Sequence, residues 1–237
     1  MPPAATNHRM TTETSGLTRI EQPPQTLRDI VQGKLREAII EGHFKPGERL
    51  VERPLCDQLG VSRTVIRETI RYLEAEGLVE ILAGKGPIVA RMDWEDARQI
   101  YDIRRMLESA AAAACARNRS ETVASQLKTA LKALQDSFED ATPGERFRAS
   151  TAFYRVIFEG AGHHIAWEVV QRLNGRISRL RAMTLSAGQR RKPGPDHMAA
   201  ICDAVIRGAP EEASKAVEAH LTDAAEVARK LLTEPQP

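Results

Sequence analysis

Ser62, Arg63, Thr64 and Arg67 bring two hydroxyls and two guanidinium groups close together in the chain. Ser62 is a good N-cap for the helical period that follows it. A capped helix N-terminus and a hydroxyl favour phosphate. Arginine bonds guanine through two nitrogens, and Thr64 or Val65 can touch a thymine methyl. Arg53, at the start of the preceding helix, is placed to reach DNA backbone or base. Gly84-Lys85-Gly86 forms a turn whose backbone can approach a minor groove, with Lys85 supplying charge. Together these residues suit recognition of double-stranded DNA. An arginine at every fourth position is, by itself, an ordinary solvent face. The capped turn, the preceding helix and the glycine-tipped hairpin together are not.

A second set lies later in the chain. His197 shares helical spacing with Ile201, Ala204 and Val205, and His220 with Val217, Leu221 and Ala224. Ser150 and Tyr154 fall with Phe147, Ile157 and Phe158. The spacing turns all four polar residues inward, as a polar pocket inside a helical bundle requires. Arg104 and Arg176 are candidates to border that pocket and pair with a carboxylate.

The elements that must position these residues follow from periodicity. Leu27, Ile30, Val31, Leu35, Ala38 and Ile39 form one apolar helical stripe, ended by Gly42. Residues 52–59 form a short second helix, and Gly60 suits a left-handed terminus. Residues 63–76 form a third helix, with Val65, Ile66, Thr69, Ile70 and Leu73 on one side. Residues 78–82 and 88–90 read as a hairpin. That order is a winged helix-turn-helix. After Met92, six helical periods follow, over 94–117, 121–138, 143–159, 165–185, 196–207 and 210–232. Ser120 and Asp196 are expected N-caps, and Pro143 and Pro210 first-turn residues. The expectation is a mainly α chain in three parts: a disordered tail over 1–25, the DNA-binding unit over 26–92, and a helical effector-binding and dimerisation unit over 93–237. Residues 186–195, rich in Gly, Pro and basic side chains, read as an extended loop.

Composition narrows the classes. The chain has 237 residues, 42% hydrophobic and 28% charged, with a formal net charge of +2, so a DNA-binding surface must be local. Aromatics at 4% argue against a base-stacking platform or a carbohydrate cleft. No segment is apolar enough for a membrane span and no secretion signal is read, so the expectation is a cytoplasmic protein. Cys56, Cys115 and Cys202 are odd in number and far apart, which argues against a disulfide framework or thiolate zinc.

Four segments carry a resemblance. They are Glu41 to Leu50, Leu59-Gly60-Val61-Ser62-Arg63-Thr64, Arg67-Glu68, and Leu73 to Val79. They are similar to the DNA-binding domain of the GntR superfamily of bacterial transcription regulators. The family usually has Pro where Val65 stands. The resemblance implies that Arg53, Ser62, Arg63, Thr64, Arg67 and Gly84 contact DNA, and that homodimers bind short palindromes. Tyr101 to Glu108, Asp196-His197 and Glu218 to Leu221 resemble the FCD-type ligand domain of the FadR-like subfamily, an antiparallel bundle of six or seven helices. That domain implies a small-molecule effector, usually a carboxylate, held by a divalent metal such as zinc or nickel on an Asp and three His. Here the last two ligands match His197 and His220, while Ser150 and Tyr154 stand where the Asp and first His belong. Two His alone rarely hold zinc, so a metal-free pocket that bonds the effector directly is the favoured expectation. Two further readings are an enzyme using His197, His220 and Tyr154, and an effector-independent architectural DNA-binding protein.

Overall fold

The computed structural model describes residues 26–186 and 194–233. The expected N-terminal tail and most of the expected loop over 186–195 lie outside these residues.

The first helix, α1 (Leu27–Ile40), starts at Thr26, whose hydroxyl accepts from the Asp29 amide while the Asp29 carboxylate accepts from the Thr26 amide. It buries Val31, Leu35 and Ile39. α2 (Glu52–Leu59) ends at Gly60, whose φ of 65° is the left-handed conformation glycine adopts without strain. α3 (Arg63–Ala75) packs Ile66, Ile70 and Leu73 beneath it. β1 (Val79–Leu82) and β2 (Gly86–Val89) pair antiparallel, from Val79 opposite Val89 to Leu82 opposite Gly86. Arg49 bridges to Ile88 and gives the hairpin a short third edge. These elements share one apolar cluster running from Val31 to Val89.

Seven helices follow among the described residues. They are α4 (Trp94–Arg117), α5 (Glu121–Asp140), α6 (Pro143–Ala161), α7 (His164–Arg172), α8 (Asn174–Ser186), α9 (Gly194–Arg207) and α10 (Pro210–Thr233). α4 and α10 run together along their length. Ala97, Ala111 and Ala112 of α4, and Ala213, Ala224 and Ala228 of α10, are buried, and their small side chains permit close approach. Ser120 caps α5 through the Val123 amide, and Pro143 follows a Thr142–Glu145 capping box.

Two local expectations need correction. The single helix expected over 165–185 is two helices, α7 and α8, broken at Leu173. Asn174 and Gly175 are poor helix formers, and the change of direction carries Gly175 onto α3. Asp196 lies inside α9 instead of capping it, because Gly194 and Pro195 already belong to the first turn, where Pro is tolerated.

α8 joins the two parts of the molecule. Ile177, Ser178 and Leu180 are buried in the helical bundle. Gly175 meets the end of α3 so closely that a Cβ there would stand 2.2 Å from the Glu76 carbonyl oxygen. Arg176 lies across Gly77, and the Arg179 guanidinium donates to the Ala90 carbonyl at the end of the wing. Burial lowers the Arg179 pKa, against the opposing pull of the Glu80 carboxylate. Glu76 is itself held by Arg36 through two bonds of 2.9 and 3.0 Å. Arg148 of α6 pairs with Glu37 of α1 on another side of the joint.

This approach makes Gly175→Ala destabilising by about 1–3 kcal/mol, the usual cost of overpacking, read as a lower thermal midpoint. Gly33→Ala is the matched control. Position 33 lies inside α1 with nothing within 4 Å of an added Cβ. That substitution is expected to stabilise by about 0.5–1 kcal/mol, because alanine replaces glycine within a helix.

Candidate DNA interface and effector pocket

Ser62 caps α3 by accepting from the Val65 amide at 3.4 Å. Ser62, Arg63, Thr64 and Arg67 are all exposed along the start of that helix. Arg53 is exposed on the first turn of α2, and Gly84 and Lys85 are exposed at the hairpin tip, where Gly84 has a φ of 75°. Val65 differs from the rest of the expected set. It is half-buried and packs against the cluster beneath α3, so much of its surface is committed to the core.

Glu52 is absent from the expected set. Its carboxylate accepts from Arg67 Nε at 2.8 Å. That bond holds the Glu52 carboxyl below its ordinary pKa and raises that of Arg67. The two residues lie on different helices, so no single helical period displays the pairing.

The second candidate site lies within the helical part. Arg104 of α4 is fully buried and bonds Glu108 one turn later, Nε to Oε1 at 2.7 Å and Nη2 to Oε2 at 3.3 Å. Its guanidinium lies 5.5 Å from the Tyr101 ring centroid. Burial opposes the Arg104 charge, yet Glu108, with Tyr154 and Tyr101 adding to it, holds the pKa above its ordinary value. Ser150 and Tyr154 of α6 are buried, and the Tyr154 ring packs edge-on to Phe153. His197 of α9 and His220 of α10 are buried with ring centroids 5.4 Å apart. His197 Nε2 lies 3.1 Å from Asp223 Oδ2 and donates to that carboxylate. α4 packs against α6, α9 and α10, the three helices that carry these groups.

Arg176 does not join them. It is exposed and lines a cleft of about 360 Å³ beside the wing, with Glu74, Glu80, Arg91 and Asp96. The break before α8 rotates it toward the DNA-binding unit. Glu108 and Asp223 are the groups absent from the expected set. Glu108 follows Arg104 by four residues, a spacing that signals a helical pair. Asp223 follows His220 by three and shares its face.

The metal set implied by the resemblance does not fit. Serine and neutral tyrosine are poor ligands. The Nε2 of His197 is engaged by Asp223, which leaves only its Nδ1 for a metal. Among the described residues, no group of three or more His, Cys, Asp or Glu is placed to hold a metal ion. Burial also pushes the Cys115 and Cys202 thiols up to about 11, so both are protonated near neutral pH and poor nucleophiles.

The buried Arg104–Glu108 pair yields a stability prediction. Removing one partner of a buried pair leaves an uncompensated charge, so Glu108→Ala is expected to cost about 3–5 kcal/mol in chemical denaturation. Glu108→Gln, which keeps an acceptor for Arg104, should cost less.

Comparison with known proteins identifies the two domains. The family of bacterial regulatory proteins called gntR matches residues 27–89, and the FCD domain family matches residues 99–223. The chain is 27% identical to an uncharacterized HTH-type transcriptional regulator in an unstable DNA locus of Streptomyces ambofaciens, over 83% of each chain. It is 28% identical to the HTH-type transcriptional regulator LutR of Bacillus subtilis, over 80% of this chain and 95% of that one. A GntR transcriptional regulator structure from Rhodococcus sp. RHA1 superposes with a TM-score of 0.72 at 25% identity, covering 88% of this chain and 99% of that one. McbR/YncC of Escherichia coli gives the same TM-score and coverage at 20% identity and shows the same fold. The chain belongs to the GntR family of bacterial transcription regulators, as a DNA-binding protein whose FCD domain binds a small-molecule effector.

Proposed function

We propose that this regulator is a homodimeric repressor whose DNA-binding unit, residues 26–92, reads a short palindromic operator. Residues 93–237 form its effector-binding and dimerisation unit. The observation that carries the DNA assignment is the exposed row Ser62, Arg63, Thr64 and Arg67 on a capped helix, flanked by Arg53 and the Gly84-Lys85 tip. The repressor sign takes support from a relative, 25% identical over 68% of this chain, named HTH-type transcriptional repressor RspR of Escherichia coli.

The effector in this reading is a small organic acid held without a metal. Glu108 takes the Nε and Nη2 side of Arg104. The ligand carboxylate meets the remaining Nη1 side, with Ser150, Tyr154 and His220 as further hydrogen-bonding groups. His197, fixed by Asp223, shapes the other wall. No reaction is assigned to this pocket. The His197–Asp223 pair resembles a base and its orienter, but no hydroxyl or thiol of a described residue bonds His197.

α8 supplies a route from pocket to DNA. It packs against α4, α6 and α10 on one side and meets Glu76, Gly77 and Ala90 on the other. A ligand that binds one position of α8 more tightly shifts the population of the DNA-binding arrangement.

Selection from a randomised DNA duplex library tests the first part. The wild-type protein is expected to enrich a palindrome, and Arg67→Ala to weaken binding to it by about 1–3 kcal/mol, the worth of one good base contact. Unchanged affinity for Arg67→Ala would remove α3 as the reading helix. Elemental analysis of untagged protein, purified without chelator and then offered zinc or nickel, tests the second part. Metal well below one equivalent is expected, and a value near one metal per chain would overturn the metal-free pocket.

A further inference from the structure

We propose that Glu52 is a positioning residue for DNA reading: it fixes Arg67 so that the outer edge of the guanidinium faces one guanine of each half-site. The inference rests on the reading of α3 as the recognition helix.

The geometry is specific about which edge is used. Arg67 presents two hydrogen-bonding edges, one through Nε and one through its two terminal nitrogens. Glu52 Oε1 occupies the Nε side at 2.8 Å. No other hydrogen bond holds Arg67 among the described residues, and the side chain is largely exposed, so its terminal nitrogens are open to a partner. Those nitrogens form the fork that matches O6 and N7 of guanine. The Arg67 side chain is 62% exposed and that of Glu52 is 31% exposed, so the pair sits at the surface and the fork is accessible.

Position and charge support the assignment. Glu52 stands in the first turn of α2, where a carboxylate is favoured by the helix dipole. Its backbone belongs to that helix, so the carboxylate hangs from an ordered element. A long arginine side chain held at one end loses much of its rotamer freedom before DNA arrives, and less remains to be lost on binding. An acid on a DNA-facing surface repels phosphate, so its presence needs a compensating role. Neutralising only the Nε side of Arg67 supplies one. It also disfavours use of Arg67 as a simple phosphate contact, which would leave the arrangement indifferent to sequence.

The test is selection from a randomised duplex library with five proteins: wild type, Glu52→Ala, Glu52→Gln, Arg67→Ala, and the double variant Glu52→Ala/Arg67→Ala. Arg67→Ala is expected to erase one guanine from each half-site of the enriched palindrome. Glu52→Ala should weaken preference for that same guanine by about five- to ten-fold, within the range of one lost base contact. Glu52→Gln, which still accepts a hydrogen bond, should retain part of the preference. In the Arg67→Ala background, Glu52→Ala should change nothing further.

Three results would overturn the proposal. Loss of a different base, or a loss that persists without Arg67, would make Glu52 a direct reader. Tighter operator binding by Glu52→Ala would make it only a repulsive charge. Full retention of the guanine preference by Glu52→Ala would leave Arg67 independent of it. Two other results strike the underlying reading instead. These are no enriched sequence with the wild-type protein, and an unaltered palindrome with Arg67→Ala.

Discussion

The rest of the structure depends on the contact between Gly175 and the carbonyl at the end of α3. Two apolar clusters, one beneath the DNA-reading helix and one inside the helical bundle, are each self-sufficient in side chains. What orients them is a backbone approach that admits no Cβ. Glycine permits it, and the break between α7 and α8 delivers it. Close packing then leaves little room for sliding, because interiors at crystal-like density resist small displacements. Arg176 and Arg179 extend the contact across Gly77 and onto the last carbonyl of the wing.

Charge placement follows a consistent rule in both sites. In the bundle the buried Arg104 and Glu108 pair with each other, as do His197 and Asp223, while the DNA-side cations are exposed. Arg104 is the largest of the fully buried side chains, and it survives inside the bundle because Glu108 lies one helical turn away. His197 is anchored by Asp223. These pairs place fixed, hydrogen-bonded charges inside the helical bundle. On the DNA side, Arg53, Arg63 and Lys85 are exposed to solvent and available to phosphate, while Arg67 alone is held on one edge. A net charge of only +2 is compatible with DNA binding because these exposed cations are concentrated in the DNA-binding unit.

Much of the fold was legible along the chain. Helical period, capping residues and the glycine-tipped hairpin placed α1, α2, α3 and the wing to within a few residues. Ser62, Arg63, Thr64 and Arg67 were legible for the same reason, since each is exposed or buried according to its own helix's rotation. The inward direction of Ser150, Tyr154, His197 and His220 also came from rotation alone, and all four are buried. Arg176 shows the limit. Its apolar neighbours Leu173 and Ile177 suggested one continuous helix, and the stripe gave no sign that the chain turns at Asn174-Gly175.

The sequence by itself therefore determined element identity, helix faces and the residue types available to each site. Tertiary structure decided the partners. Glu52 and Arg67 are 15 residues apart, His197 and Asp223 are 26 apart, and Arg179 and Ala90 are 89 apart. The physical reason is that periodicity records the direction in which a side chain leaves its own helix. It carries no information about which other helix stands there to receive it. That is set by how whole apolar faces pack, and here by Gly175, which lets two backbones come close.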